Sequence, residues 1–416
     1  MGSSPIREED LKKHHAGDAR TIGARDNRMY TITPAPREQG EFLNGCIYSP
    51  NEDDVQGQRK TFKTLARQTI AISPTYELEA DMCGRITQVG AYLARHLGPE
   101  RVFFLSSGLH RKTIQALQDS GVHVIHEKTE VRHRIDWKKF SEILCLDEAG
   151  IQEWFIGKGA TLYLGILGIL LNHSQILEST KWVFQSDSEL ESYETYDPLR
   201  YIFTPVAENI LRSRGKVNTS LRKCIFGKVG RNNELVAATL NSLHIIAHAA
   251  KSNIPNEIRE AADSVYHGLA RLVWPCCGEM LWDAHTLLHE RQFATGYGLE
   301  TLENIQFGAS QSEIPAIWQV IHDKPRLDGT NTHLKEHFML FRIGQLITAI
   351  VMSGTLPHTL QTIEEIAEYN KDVLAPLDNQ LVTIIPEKLG PVEAHCIPFD
   401  RIMPPPQMLI EAGIVQ

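Results

Sequence analysis

Apolar and polar positions along the chain fall into alternating short runs and longer periodic stretches. Thr69-Ile70-Ala71-Ile72-Ser73-Pro74 is a brief β-prone run and predicts a buried strand that ends at the proline. Residues 76–97 then repeat apolar positions at helical spacing. Residues 101–105 predict a second strand, leading into the small-residue loop Ser106-Ser107-Gly108. Residues 112–119 predict a helix and residues 122–126 a third strand. Strand and helix alternating in this way predict an α/β fold built on a doubly wound, mostly parallel sheet. Residues 160–171 are apolar on all sides, the pattern of a buried helix. Trp182-Val183-Phe184-Gln185 predicts a further strand. Helical spacing then dominates over residues 234–250, 256–272 and 336–353.

These patterns divide the chain of 416 residues into three parts. Residues 1–60 are polar and read as an N-terminal arm. Residues 61–350 carry the strand and helix alternation and form the main domain. Residues 351–416 are proline-bearing, with Pro404-Pro405-Pro406 near the end, and read as a tail wrapping that domain. The helices over residues 234–272 fit either packing on the sheet or a homodimer contact.

Composition narrows the function classes. With 42% hydrophobic and 22% charged residues the chain suits a large core. The net charge of −9 argues against broad attraction to nucleic acid or anionic membrane. The 7 cysteines include no C-x-x-C pair, which excludes an obvious zinc site or disulfide framework and fits a reducing, cytoplasmic setting. The first residues lack the apolar core of a signal peptide. The run over residues 160–171 is too short to span a bilayer and is interrupted by glycine.

The chemistry concentrates where the strand ending in Gln185 meets Ser186-Asp187-Ser188-Glu189. Residues i and i+2 of a strand share a side. Asp187 and Glu189 can therefore converge on one divalent cation, and hard cations prefer such oxygen ligands while leaving room for phosphate. Open parallel sheets bind ligands at the carboxyl ends of their strands, where both this turn and the Ser106 loop fall. Gly157-Lys158-Gly159 opens the buried helix, an arrangement suited to an anion, although it does not meet the G-x-x-x-x-G-K-[ST] pattern.

Taken in order, these segments resemble the glycosyl-3-phosphoglycerate synthases, especially those using GDP-mannose, over roughly residues 28–350. Met29-Tyr30-Thr31-Ile32, Pro36-Arg37-Glu38, Ile72-Ser73-Pro74 with Glu77, and Leu105-Ser106-Ser107-Gly108 stand in the family's order. Gly157-Lys158-Gly159, Asp187-Ser188-Glu189, the basic segment Arg212 to Val217, and Gly230-Arg231-Asn232-Asn233-Glu234 running to Leu240-Asn241 follow. Gly278-Glu279 and Phe293-Ala294-Thr295-Gly296-Tyr297-Gly298-Leu299-Glu300 come next, then Asn331-Thr332-His333 and Lys335-Glu336-His337. The blocks at 230–241 and 293–300 are the most specific.

The resemblance implies a GT-A fold and metal-dependent, retaining transfer of a sugar, with mannose from GDP-mannose foremost. It places Pro74, Glu77, Ser106, Gly157, Lys158, Gly159 and Asp187 at the donor, with Glu79 competing for the role of Glu77. Asp187, Glu189 and His333 would hold Mg2+ or Mn2+, with His337 and His322 as alternatives to His333. Arg214, Lys216, Arg231, Cys277, Gly278 and Tyr297 would face the acceptor, and Asp187, Glu279, Glu300 and Arg231 would serve catalysis. Taken residue by residue, a solvated lysine and surface carboxylates account equally well for Lys158, Glu279 and Glu300, and core packing beside the Gly296 and Gly298 turn accounts better for Tyr297.

Three departures separate this chain from the family. Glu189 stands for an aspartate. Ala160-Thr161 follows the Gly-Lys-Gly. Trp274-Pro275-Cys276-Cys277 replaces a loop of small polar donors that serves the acceptor's phosphate. Donor features are thus kept better than acceptor features, which favours a small, more apolar hydroxylated acceptor. The alternatives are 3-phosphoglycerate itself and a non-catalytic relative that binds nucleotide sugar or acts as a scaffold.

Overall fold

The computed structural model of the chain describes residues 20–23, 29–32, 47–48, 59–76, 82–148, 151, 158–187, 193–212, 223–227, 254–270, 278–296, 298–308, 317–321, 333–380 and 399–416. The described strands are β1 (Arg20–Gly23), β2 (Met29–Ile32), β3 (Ile47–Tyr48), β4 (Thr69–Tyr76), β5 (Val102–Gly108), β6 (His123–His126), β7 (Trp182–Gln185), β8 (Lys223–Gly227), β9 (Met280–Asp283), β10 (Phe293–Ala294), β11 (Ile317–Ile321) and β12 (Ile402–Met403). Eight of them form one sheet in the order β3-β11-β8-β9-β7-β4-β5-β6. Every neighbouring pair is parallel except those made by β9, which runs antiparallel to both β7 and β8. The α/β, mostly parallel architecture predicted from the sequence is the one observed.

Period-two alternation gives this sheet two buried faces. Ile70, Ile72, Phe103, Leu105, Val183 and Trp282 pack on one side, and Ala71, Val102, Phe104, Trp182, Phe184 and Leu281 on the other. The second side is covered by α1 (Arg59–Arg67), α2 (Met82–Leu97) and α3 (Arg111–Asp119). In α2 the inward residues Ile86, Val89, Leu93 and Leu97 keep helical spacing. α4 (Trp137–Leu144) and α5 (Lys158–Asn172) belong to the first side, and α6 (Pro198–Arg212) to the second. The first side is completed by α7 (Asn256–Ala270), α8 (Leu299–Gly308) and α9 (His333–Ser353).

Helix α5 is buried at every residue from Gly159 to Ile169. Its glycines let it lie close against the sheet: a β-carbon at Gly165 would fall 2.5 Å from a methyl of Leu105, and one at Gly168 would fall 2.7 Å from Ile125. No described helix is long and apolar enough to cross a membrane.

Some expected boundaries shift. β4 does not stop at Pro74 but continues to Tyr76. The carbonyl of Ile72 accepts from Ser186 N–H at 3.0 Å, so alternate residues of β4 turn their backbone groups toward β7. The β7 pairing ends at Ile72–Gln185, and Pro74, two residues on, therefore lacks an N–H where no ladder bond is required. Tyr76 belongs to this strand rather than to the following helix, whose described part begins at Met82. The expected Ser106-Ser107-Gly108 loop continues β5, because Ser106 still pairs with Thr75 and His126. The helix expected over residues 234–250 lies outside the described residues.

The last described segment is fastened to the body. β12 pairs antiparallel with β10, Tyr163 Oη donates to the Pro404 carbonyl at 2.8 Å, and Asp136 N–H donates to the Ile414 carbonyl at 2.8 Å.

Replacing Gly165 by valine should overpack the α5–sheet contact and lower unfolding free energy by about 1–3 kcal/mol. Urea denaturation measures this, and unchanged stability would contradict the close approach.

Candidate functional site

The site is assembled by strand register. β7 and β9 pair antiparallel with Gln185 opposite Met280. Continued for two residues, that register sets Asp187 opposite Gly278. The atoms agree: a β-carbon on Gly278 would lie 1.8 Å from Asp187 Oδ2, so only glycine leaves room for the carboxylate. Glu279, fully buried, accepts from the Asp187 N–H at 3.3 Å. Ser73 Oγ donates to the Ser186 carbonyl at 3.0 Å and fixes the other side of the turn.

Lys158, the first residue of α5, reaches into this turn. Its Nζ lies 2.7 Å from Asp187 Oδ1 and 2.6 Å from Glu300 Oε1, both within the range of charge-assisted hydrogen bonds. The three side chains are 29%, 22% and 14% exposed, so the cluster is shielded without being sealed. Burial alone would depress the ammonium's pKa. Attraction to Asp187 and then Glu300 outweighs it and holds the pKa well above the usual lysine value.

The helix start is wedged in place. A β-carbon on Gly159 would fall 2.0 Å from the Ala294 carbonyl oxygen, and Ala160 N–H donates to the Thr295 carbonyl at 3.1 Å. That amide serves the protein rather than an incoming anion.

Glu300 stands in the first turn of α8, just after the loop that follows β10, and that loop is fastened. Asp400 Oδ2 accepts from Gly298 N–H at 3.0 Å, and Arg401 N–H donates to Thr295 Oγ1 at 3.0 Å. Beneath the turn, Arg291 is fully buried between the rings of Trp282 and Phe293, at 4.3 and 4.2 Å from their centroids. It forms an ion pair with Glu303, and its Nη1 donates to Gln185 Oε1 at 3.4 Å. Burial pushes this guanidinium well down from its ordinary pKa, and Glu300 pulls in the opposite direction.

The structure thus gathers Lys158, Gly159, Asp187, Gly278, Glu279 and Glu300 into one place. Pro74 and Ser106 sit toward the carboxyl ends of β4 and β5, and Ser106 Oγ accepts from Leu109 N–H at 3.2 Å. His333 is the first residue of α9. Glu77, Gly157, Glu189, Arg214, Lys216, Arg231, Cys277 and Tyr297 lie outside the described residues. Arg291, Gln185 and Asp400 were not anticipated. Arg291 stands two residues before the Phe293 block, but a buried arginine has no local pattern that separates it from a solvated one.

Among the described residues no three His, Cys, Asp or Glu side chains form a group able to hold a metal. Asp187 and Glu300 nevertheless direct carboxylate oxygens at a single cation, the Lys158 ammonium. Donors of this hard type suit Mg2+ or Mn2+. A separate cavity of about 370 Å³ is lined by His133, Arg134, Ile135, Asp136, Ile414 and Gln416, and none of the residues gathered above lines it.

No family model matches the chain, and no curated protein matches it. Solved structures of weakly similar arrangement do exist. Glucosyl-3-phosphoglycerate synthase from Mycobacterium tuberculosis in complex with UDP is 16% identical, with a TM-score of 0.48 over 90% of this chain and 98% of that one. Its complex with Mn2+, UDP-glucose and phosphoglyceric acid is 15% identical, with a TM-score of 0.48 over 87% and 99%. Its complex with Mn2+, UDP-glucose and glycerol 3-phosphate is 17% identical, with a TM-score of 0.44 over 74% and 87%.

Replacing Gly278 by alanine should drive the Asp187 carboxylate off Lys158. Double-mutant cycles on Lys158→Met and Asp187→Asn should give a coupling of about 1 kcal/mol in the natural background and none in Gly278→Ala. Because the Lys158 pKa is raised on folding, its contribution is fully present below the unfolded value of about 10.4 and lost as pH rises through the higher folded value. Stability measured against pH should therefore show an alkaline loss that Lys158→Met lacks.

Proposed function

We propose that the chain is a metal-dependent glycosyltransferase of GT-A type that moves a sugar from a nucleotide-sugar donor to a small hydroxylated acceptor. One observation carries this reading. Four sequence blocks on which the family resemblance rests, at Lys158, Asp187, Gly278-Glu279 and Glu300, are far apart in the chain and meet at one point. That point lies at the carboxyl end of β7, where the inserted antiparallel strand β9 begins.

Cleaving a sugar from a nucleoside diphosphate develops negative charge on the leaving group. Lys158 is placed to neutralise part of that charge. Asp187, with Glu189 and His333 as the further proposed ligands, would hold a divalent ion that acts as Lewis acid for the diphosphate. Glu279 fixes the backbone of the Asp187 turn. Glu300 orients Lys158 from the opposite side. The proposed main domain, residues 61–350, contains all four blocks.

The donor we propose is a GDP-sugar, with mannose foremost. The M. tuberculosis structures are described with UDP-glucose, so a donor panel must contain both. Trp274-Pro275-Cys276-Cys277 favours an acceptor more apolar than 3-phosphoglycerate, because proline lacks an N–H and these side chains bring few donors for a phosphate.

Thermal-shift binding with GDP, UDP, GDP-mannose and UDP-glucose, each with and without Mn2+, tests the reading. A ligand at 100 times its Kd stabilises the native state by about 2.7 kcal/mol. Metal-dependent stabilisation by a nucleotide sugar is the expected outcome, and its identity assigns the donor. No shift with any nucleotide would leave the non-catalytic scaffold as the better reading.

A further inference from the structure

Lys158 is the one described cation in hydrogen-bond contact with Asp187, and its position constrains how a second cation could arrive. Its Nζ bridges Asp187 Oδ1 at 2.7 Å and Glu300 Oε1 at 2.6 Å. The backbone that carries it is fixed: α5 is buried from Gly159 onward, and the Gly159 α-carbon is pressed against the Ala294 carbonyl. The carboxylate is fixed as well. Asp187 faces Gly278 across the β7–β9 register, and its N–H is held by Glu279. What can still move is the flexible four-carbon stem of Lys158, partly open to solvent. Glu300 gives the ammonium a second carboxylate that it already touches.

A divalent ion bound to Asp187 would stand within a few ångströms of the ammonium, where like charges repel strongly in a shielded site. We propose that Lys158 is the resident counter-ion of the acidic site and is displaced from Asp187 onto Glu300 when a divalent cation binds. Metal and lysine then exclude one another at Asp187, and the ammonium is released beside the ion rather than lost to solvent. Glu300 is the positioning residue of this exchange, since it keeps the lysine within the site. The proposal rests on the reading of Asp187 as a metal ligand.

Mn2+ binding to the full chain, followed by the electron paramagnetic resonance signal of free Mn2+, separates the proposal from that reading. Natural protein should bind Mn2+, and Asp187→Asn should abolish binding. Lys158→Met should bind about tenfold more tightly, the size expected for removing one like charge near the ion. Glu300→Gln should bind several-fold more weakly, because the ammonium then has Asp187 as its sole carboxylate. Circular dichroism and melting check that each variant folds, and Glu300→Gln supplies an independent arm should Lys158→Met fail to do so. If Asp187→Asn abolishes binding but Lys158→Met binds no tighter than the natural chain and Glu300→Gln no weaker, the exchange is overturned and the metal-ligand reading survives. If neither the natural chain nor Lys158→Met binds Mn2+, both are overturned.

Discussion

β9 runs antiparallel between β7 and β8, and the placement of the site depends on that insertion. In a wholly parallel sheet the chain entering a neighbouring strand would do so at the opposite edge from the end of β7. Reversing one strand brings the start of β9 to the end of β7. The residues just before Met280 then meet the residues just after Gln185, and ladder geometry dictates which of them face each other. Asp187 meets Gly278 for this reason. A slip of two residues would put Met280 against the carboxylate in place of the glycine.

The register needs support, because hydrogen bonds at the end of a short strand are easily frayed. Arg291 supplies it from below, stacked between Trp282 of β9 and Phe293 of β10 and bonded to Gln185 of β7. A buried guanidinium is costly to desolvate and is tolerated here because Glu303 neutralises it. The last described segment supplies support from the side. Thr295 N–H donates to the Arg401 carbonyl, Arg401 N–H donates to Thr295 Oγ1, and Asp400 holds Gly298, so the residues leading into Glu300 are pinned on one flank while the Thr295 carbonyl holds the first turn of α5 on the other. Burial raises the pKa of Asp400, opposed by Arg342, the Gly298 N–H and Arg401. Segments distant in the chain thereby converge around one lysine.

Much of the sheet was legible because its signals are local. The strands from Thr69 and Trp182 carry runs of β-prone residues, and α5 is apolar on all sides, so each declares its own burial. Pro74 is different, because a proline taken in isolation signals a strand's end. Its tolerance depends on β7 having already turned away, which is a fact about pairing and not about the local residues. Asp187 was legible as a candidate from its place at a strand end two residues before Glu189, whereas Glu279 and Glu300 were legible only through the order of short motifs. Nothing near Glu300 indicates that it shares a lysine with Asp187, since that contact is set by the approach of α5 to β10. Arg291 and Asp400 were invisible for the same reason: their surroundings are assembled from segments distant in sequence. Glu77, Glu189, Arg231 and Tyr297 stand as sequence expectations, outside the described residues.

The charge pattern of the site has its own logic. Asp187, Glu279 and Glu300 place three carboxylates around the turn, and Glu279 is fully buried. Such a group of like charges is self-repelling unless cations stand among them. Lys158 supplies one positive charge from the rigid start of a helix, so the folded chain does not wait for a ligand before Asp187 and Glu300 are compensated. An anionic ligand such as a diphosphate would be repelled by the carboxylates taken alone. It becomes acceptable only where positive charge faces it. On the function proposed above, the side chain that compensates Asp187 and Glu300 is therefore also placed to face an anion. Its pairing with two carboxylates, rather than one, lets it change partners without leaving a carboxylate and an ammonium stranded apart. In the exchange proposed above, this double role accounts for a charged residue at the start of a helix that is buried from Gly159 to Ile169.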